Sequence, residues 1–307
     1  MKNSGGKLET AKRFIHKEAV SGYFFASPFI IGFLSFTIIP MLYSLYISFT
    51  NYRIASAPTW IGLNNYFRMF TSDPRFVKSI KVTLYYVLAS VPLKVAFALI
   101  VAFLLTRRTR LAGFYRSVYY LPSLVGGSVA VSLVWRELFS VKGLINNILQ
   151  WLGLQPIAWL GDPTYAIWVL ILLTVWQFGS SMLIFAAGLK QIPDSYYEAA
   201  EIDGGSLLQQ FFYITLPCLS PVILFNLVMQ TISGFMNFTQ AFIITTGGPM
   251  DSTLFYALYL YQSAFNYFEM GYASAMAWIL LLMVAAVTAV IFKSSDHWVY
   301  YESKGGR

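Results

Sequence analysis

Six stretches of this 307-residue chain, 23–49, 80–105, 117–139, 165–189, 217–245 and 271–292, are each longer than twenty residues and almost wholly apolar. A helix needs about 20 such residues to cross about 30 Å of hydrocarbon, so the runs predict six crossings with room for tilt. In lipid a backbone amide finds no water, and only helices or closed barrels satisfy it. The alternating strands of a barrel are absent, which leaves an all-α integral membrane fold. With 57% hydrophobic and only 11% charged residues, the chain also has too little charge to cover itself in water. Its single cysteine, Cys218, cannot build a disulfide scaffold, and His16 and His297, far apart in the sequence, form no zinc-binding pattern.

Lysine and arginine set the orientation. With the amino terminus in the cytoplasm, the inside segments hold Lys2, Lys7, Lys12, Arg13, Lys17, Arg107, Arg108, Arg110, Arg116, Lys190, Lys293, Lys304 and Arg307, thirteen of the 21 basic residues. The outside loops hold Arg53, Arg68, Arg75, Lys78 and Lys142, with Lys81 and Arg136 at the boundary. That excess predicts both termini inside. The expected organisation is a cytoplasmic segment 1–22, a six-helix domain 23–292, and a cytoplasmic tail 293–307. The net charge of +8 comes in clumps between apolar runs, where a membrane protein needs it, and is no sign of nucleic-acid binding. The first run is too long for the apolar region of a cleaved leader and lacks a small-residue cleavage site. Outside loops 50–79, 140–164 and 246–270 are expected at the interface, with a short surface helix over 144–154.

One inside loop, about 190–217, breaks the positive bias. Asp194, Glu198, Glu201 and Asp203 fall within ten residues, against Lys190 alone. Ser195 followed by Glu198 reads as a capping box that starts a helix after Ser195. Gly204 and Gly205 stop it, and Ser206 can cap a second helix leading to Pro217. Ala199 and Ala200 give the first helix a smooth side that another backbone could approach. The bland alternative leaves Glu198 as a cap and Gly204 as a helix stop and nothing more.

This loop resembles the EAA signature of bacterial ABC importer permeases. Glu198-Ala199-Ala200, Gly204 and then Ile214-Thr215-Leu216-Pro217 match it without a gap. Three further segments resemble the carbohydrate branch, the maltose and glycerol-phosphate permease type: Trp60-Ile61-Gly62-Leu63-Asn64-Asn65-Tyr66, Tyr120-Leu121-Pro122, and Thr246-Gly247-Gly248-Pro249 with Thr253. The resemblance implies a type I importer permease fold in a bacterial cytoplasmic membrane. It further implies that Glu198, Ala199, Ala200, Asp203, Gly204, Leu216 and Pro217 form a coupling surface for an ATPase. The implied partners are a second homologous permease, two ATPase subunits that bind the ATP and magnesium, an extracytoplasmic solute-binding protein, and a carbohydrate. The maltose member's extra helices and large external domain are missing here.

The sequence contains no phosphate-cradling G-x-x-x-x-G-K-[ST], so nucleotide must be bound elsewhere, and this chain is not expected to be an enzyme or to bind a cofactor. A proton-coupled sugar carrier is the alternative. It would ordinarily place Asp or Glu inside its helices, and the six spans hold only Glu137, at an edge. A membrane enzyme would need clustered ionisable groups, seen only in the acidic loop.

The fifth run is the least lipid-like. Asn226, Gln230, Ser233, Asn237 and Gln240 recur at steps of four, three, four and three, on one face of a helix. Such a face lines either a polar cavity or a contact with another helix. Trp176, Gln177 and Ser180 in the fourth run stand at comparable depth. Amides and hydroxyls beside aromatic rings suit a solute with hydroxyls and apolar C–H patches, as sugars have. Lys94, two residues after Pro92 in the second run, either snorkels, meets carbonyls freed by the proline, or reads an acidic solute.

Overall fold

The structure is a computed structural model that describes residues 18–54, 56–106 and 112–300, so Lys2 to Lys17, Arg107, Arg108, Arg110, Lys304, Arg307 and much of the two terminal segments lie outside it. Every extended element among the described residues is helical; the sole β-bridge pairs Thr50 with Trp60.

Helix α1 (Glu18–Phe33) passes through a π-helical turn, Leu34–Ile38, into α2 (Ile39–Ser48). Its apolar side chains are left uncovered by this chain: Tyr23, Phe24, Phe25 and Phe29 are all more than 70% exposed. Only its far end docks, on α15 (Met270–Ser295). Gly271 allows that approach, its amide donating to Tyr52 O at 2.9 Å. After α3 (Asn64–Thr71) comes α4 (Pro74–Thr106), 33 residues long. At 1.5 Å per residue it measures about 50 Å, more than the hydrocarbon thickness, so one end projects into the interface. Asp73 starts it by accepting from Phe76 N at 3.1 Å. The fourth and fifth crossings both pack along α4, while the sixth packs on α2 and the fifth.

The third and fourth crossings are bent. The expected straight helix over 117–139 is instead α5 (Ala112–Val125) and α6 (Val129–Leu138), at 97° to each other. The Gly126-Gly127-Ser128 corner breaks it, with Ser128 Oγ capping α6 through Val131 N at 3.3 Å. The fourth crossing is α8 (Pro163–Trp176) and α9 (Gly179–Leu189), bent by 41°. A Cβ at Gly179 would lie 2.3 Å from Tyr119 O and 2.7 Å from Tyr120 Cα, so only glycine lets α9 meet α5 this closely. Gly179→Ala is therefore expected to push the two apart. A several-degree fall in the melting temperature of purified protein checks this; an unchanged value would show that the contact is slack.

The fifth crossing enters through α10 (Asp194–Ile202), α11 (Leu207–Gln210) and a π-helical turn, Phe211–Thr215. Its body is α12 (Leu216–Phe235). The predicted continuous helix to residue 245 stops at Phe235, and three irregular residues precede α13 (Thr239–Ile244). Taking each bent pair as one span, the described residues hold six helical segments long and apolar enough to cross a membrane.

Opposite the acidic loop, the connections are more ordered than interface loops need to be. The surface helix expected over 144–154 is α7 (Leu144–Trp151). It is pinned by fully buried Asn146, which donates to the carbonyls of Ser140, Val141 and Ile157 and accepts from Ile157 N and Trp159 Nε1. Asn65 Nδ2 holds the carbonyls of Ser48 and Thr50 at 2.8 and 2.9 Å. Arg75 grips Asp251 with two hydrogen bonds of 2.9 Å, and Asp73 accepts from the hydroxyls of Tyr259 and Tyr272. These bonds fasten α14 (Tyr256–Tyr261) and the start of α15 to the head of α4.

Candidate functional site

A cavity of about 260 Å³ lies between α4, α8, α9 and α12, and its wall is mostly polar. Seven of the residues singled out in the sequence meet there: Lys94, Gln177, Ser180, Gln230, Ser233, Asn237 and Gln240. Trp176 and Asn226 do not line it. Trp176 turns away to stack against Trp135, with ring centroids 5.5 Å apart. Asn226 is fully buried at another level of α12, its Nδ2 donating to Val222 O at 3.1 Å.

Three lining residues with polar side chains escaped sequence reasoning: Tyr86, Ser90 and Thr174. Tyr86 and Ser90 precede Lys94 by eight and four residues, so one face of α4 carries all three; that spacing was the available signal. Tyr86 anchors one wall. Its fully buried hydroxyl sits 2.6 Å from Thr174 Oγ1 and accepts from Asn237 Nδ2 at 2.6 Å. Asn237 Nδ2 also reaches Gln240 Oε1 at 3.1 Å, and Gln240 Nε2 donates at 3.5 Å to Gly126 O, a carbonyl laid bare by the corner of the third crossing. Four segments are thereby joined through side chains whose polar groups would be costly if left alone.

Other groups on the wall are free of that network. Among the described residues Gln230, Ser233 and Lys94 make no hydrogen bond. Ser233 is exposed, so the cavity opens on the outward face of α12. Between them the free groups can donate to and accept from a solute.

The acidic loop is a separate surface. No residue of α10 is buried, and Ile202 is 87% exposed. The anticipated capping box at Ser195 and Glu198 does not form. The helix starts two residues earlier, after Pro193, which puts Ser195 inside the first turn, and no side chain caps that end. The stop is as expected: Gly204 has φ +79°, Gly205 N donates to Ala200 O at 2.7 Å and Gly204 N to Glu201 O at 3.1 Å, the two bonds of a Schellman motif. Ser206 and Gln209 form the capping box of α11. The loop is tied to the fifth crossing, since the Tyr197 and Thr215 hydroxyls lie 2.9 Å apart and Gln210 Nε2 donates to Gly205 O at 3.3 Å. Leu216 and Pro217 open α12 at the point where the loop joins it. Glu198, Ala199, Glu201 and Asp203 face solvent.

Residues 69–298 match the family described as the binding-protein-dependent transport system inner membrane component. The chain is 56% identical over 307 residues, 99% of each protein, to the probable ABC transporter permease YesP of Bacillus subtilis. It is 34% identical to the lactose transport permease LacF of Rhizobium radiobacter, covering 89% of this chain and 93% of that one. With the arabinooligosaccharide permease AraP of Halalkalibacterium halodurans the identity is 31%, over 90% and 87%. A chain of the crystal structure of a bacterial ABC transporter that imports the acidic polysaccharide alginate superposes with a TM-score of 0.80 at 22% identity, covering 94% of this chain and 98% of that one. This chain belongs to the family of binding-protein-dependent transport system inner membrane components, the permeases of ABC transporters.

Proposed function

We propose that the chain is the permease subunit of an ATP-driven importer of a carbohydrate, an oligosaccharide by analogy with its relatives. It lies in a bacterial cytoplasmic membrane, with both termini inside. The observation that carries this reading is the polar cavity between α4, α8, α9 and α12, with free amide, hydroxyl and ammonium groups on a wall held by the Tyr86–Asn237–Gln240 network. At about 260 Å³ the cavity is just below the usual range of about 300–1,000 Å³ for small-molecule sites. A second, similar permease facing the open side would complete it. Relatives named for lactose and arabinooligosaccharide transport support the sugar class.

The work of this subunit is mechanical. An extracytoplasmic binding protein delivers the solute, and two ATPase subunits, which bind the ATP and magnesium, close on the loops around α10. Because α10 is hydrogen-bonded to the entry of α12, displacement of the loop moves the helix that carries Gln230 and Ser233, and the cavity changes the side to which it opens.

Gln230→Leu tests the cavity as pathway. Gln230 bonds to nothing else in the described chain, so its loss should leave folding and assembly intact while lowering sugar uptake by the reconstituted complex roughly tenfold, the weight of one hydrogen bond made to a solute. Unchanged uptake would place the solute elsewhere.

A further inference from the structure

The cavity contains a cation that the described chain leaves unanswered. Lys94 is 9% exposed and sits on the cavity wall, beyond Pro92 in the middle of α4. Among the described residues it has no hydrogen bond and no ion pair, and no Asp or Glu lines the cavity. An ammonium at that depth is costly unless something pairs with it. A purely structural lysine would meet the carbonyl of Leu88, which Pro92 leaves without its helical donor. Lys94 makes no such bond. Its neighbours on the wall, Ser90, Gln177, Gln230 and Asn237, are neutral donors and acceptors that can hold hydroxyls but cannot neutralise a charge.

Resting on the importer reading above, we infer that Lys94 reads a carboxylate on the solute, so that the transported carbohydrate is an acidic sugar, an oligosaccharide containing hexuronic acid. A single ammonium, a compact point charge, matches a single carboxylate. A phosphate or sulfate ester would call for a guanidinium fork, and the wall offers none; α9 does begin at the cavity, but its Ser180 amide already donates to Ser123 Oγ at 3.0 Å. The amides around Lys94 then take the ring hydroxyls, and the charge supplies a selectivity that the amides alone lack.

The experiment uses the complete complex in proteoliposomes with its binding protein. The probes are oligomers of glucuronate, galacturonate and mannuronate, each compared with its twin in which the carboxyls have been reduced to hydroxymethyl groups. Wild type should transport at least one acidic oligomer about tenfold or more faster than its neutral twin, and Lys94→Met should remove most of that difference by lowering acidic uptake far more than neutral uptake. Lys94→Arg, which keeps the charge, should retain the preference, and equal amounts of both variants in the membrane exclude a folding defect. Equal loss of acidic and neutral uptake in Lys94→Met, or a wild-type preference for neutral twins, would overturn the inference and leave the importer reading standing. If no sugar of either kind is moved or stimulates ATP hydrolysis, the importer reading itself falls, and the inference with it.

Discussion

Glu198→Lys is expected to cut solute uptake steeply while leaving the permease folded and inserted. The carboxylate is exposed on α10 and no side chain caps that helix, so its own fold does not depend on it. Charge reversal at such a position changes stability by no more than about 0.5 kcal/mol. Its consequence lies in the surface presented to a partner. Asp194, Glu198, Glu201 and Asp203 give this loop a negative field that suits a basic cleft, and like-charge contact against such a cleft weakens docking. Uptake should fall at least about tenfold, equivalent to 1.4 kcal/mol of lost coupling, while ATP hydrolysis continues but no longer responds to the loaded binding protein. Parallel measurement of uptake and ATPase activity on one preparation checks this. Normal uptake would reduce Glu198 to a solvated surface charge.

The second large effect is expected for Asn237→Leu, which attacks the cavity from within. Asn237 Nδ2 serves both Tyr86 and Gln240, and leucine serves neither. Two polar atoms in the interior are left a partner short, at about 1–3 kcal/mol each. The melting temperature of the purified protein should fall by several degrees, and uptake should fall further than in Gln230→Leu, because the wall itself loosens. The paired variants separate shape from contact. Loss of stability without loss of uptake in Asn237→Leu would mean that the network holds helices together and has no part in the solute path.

How far these features were legible in the sequence depends on how local their causes are. The number of crossings follows from length and hydropathy, properties of each segment alone, and all six runs are helical. The 97° corner in the third crossing was missed, although Gly126-Gly127-Ser128 was an available signal for it, and Gln240 meets the freed Gly126 carbonyl there from another helix. Four of the five stripe residues, Gln230, Ser233, Asn237 and Gln240, line the cavity, although the helix that carries the stripe ends at Phe235. Asn237 and Gln240 still reach the cavity because the break re-aims them, which helical periodicity cannot foresee. Asn226 and Trp176 share the composition of the stripe and lie away from the cavity, since depth along a helix is set by tertiary packing. Tyr86 and Ser90 were missed because tyrosine and serine are common in crossings, and only their four-residue spacing from Lys94 marks them. At the acidic loop, the stop at Gly204 and the cap at Ser206 follow from backbone rules and hold. The start at Ser195 failed because Pro193 lets the helix begin earlier.

In the proposed mechanism α10 takes force from a nucleotide-hydrolysing partner and passes it through Tyr197, Thr215 and α12 to the wall of the cavity. The most direct measurement is the thiol reactivity of Ala199→Cys, in a Cys218→Ser background, in the complete complex without nucleotide and with a non-hydrolysable ATP analogue. Strong protection relative to the isolated permease is expected, with the degree of protection changing between the two nucleotide states. A thiol that reacts as fast in the complex as in the isolated subunit, in both states, would contradict it.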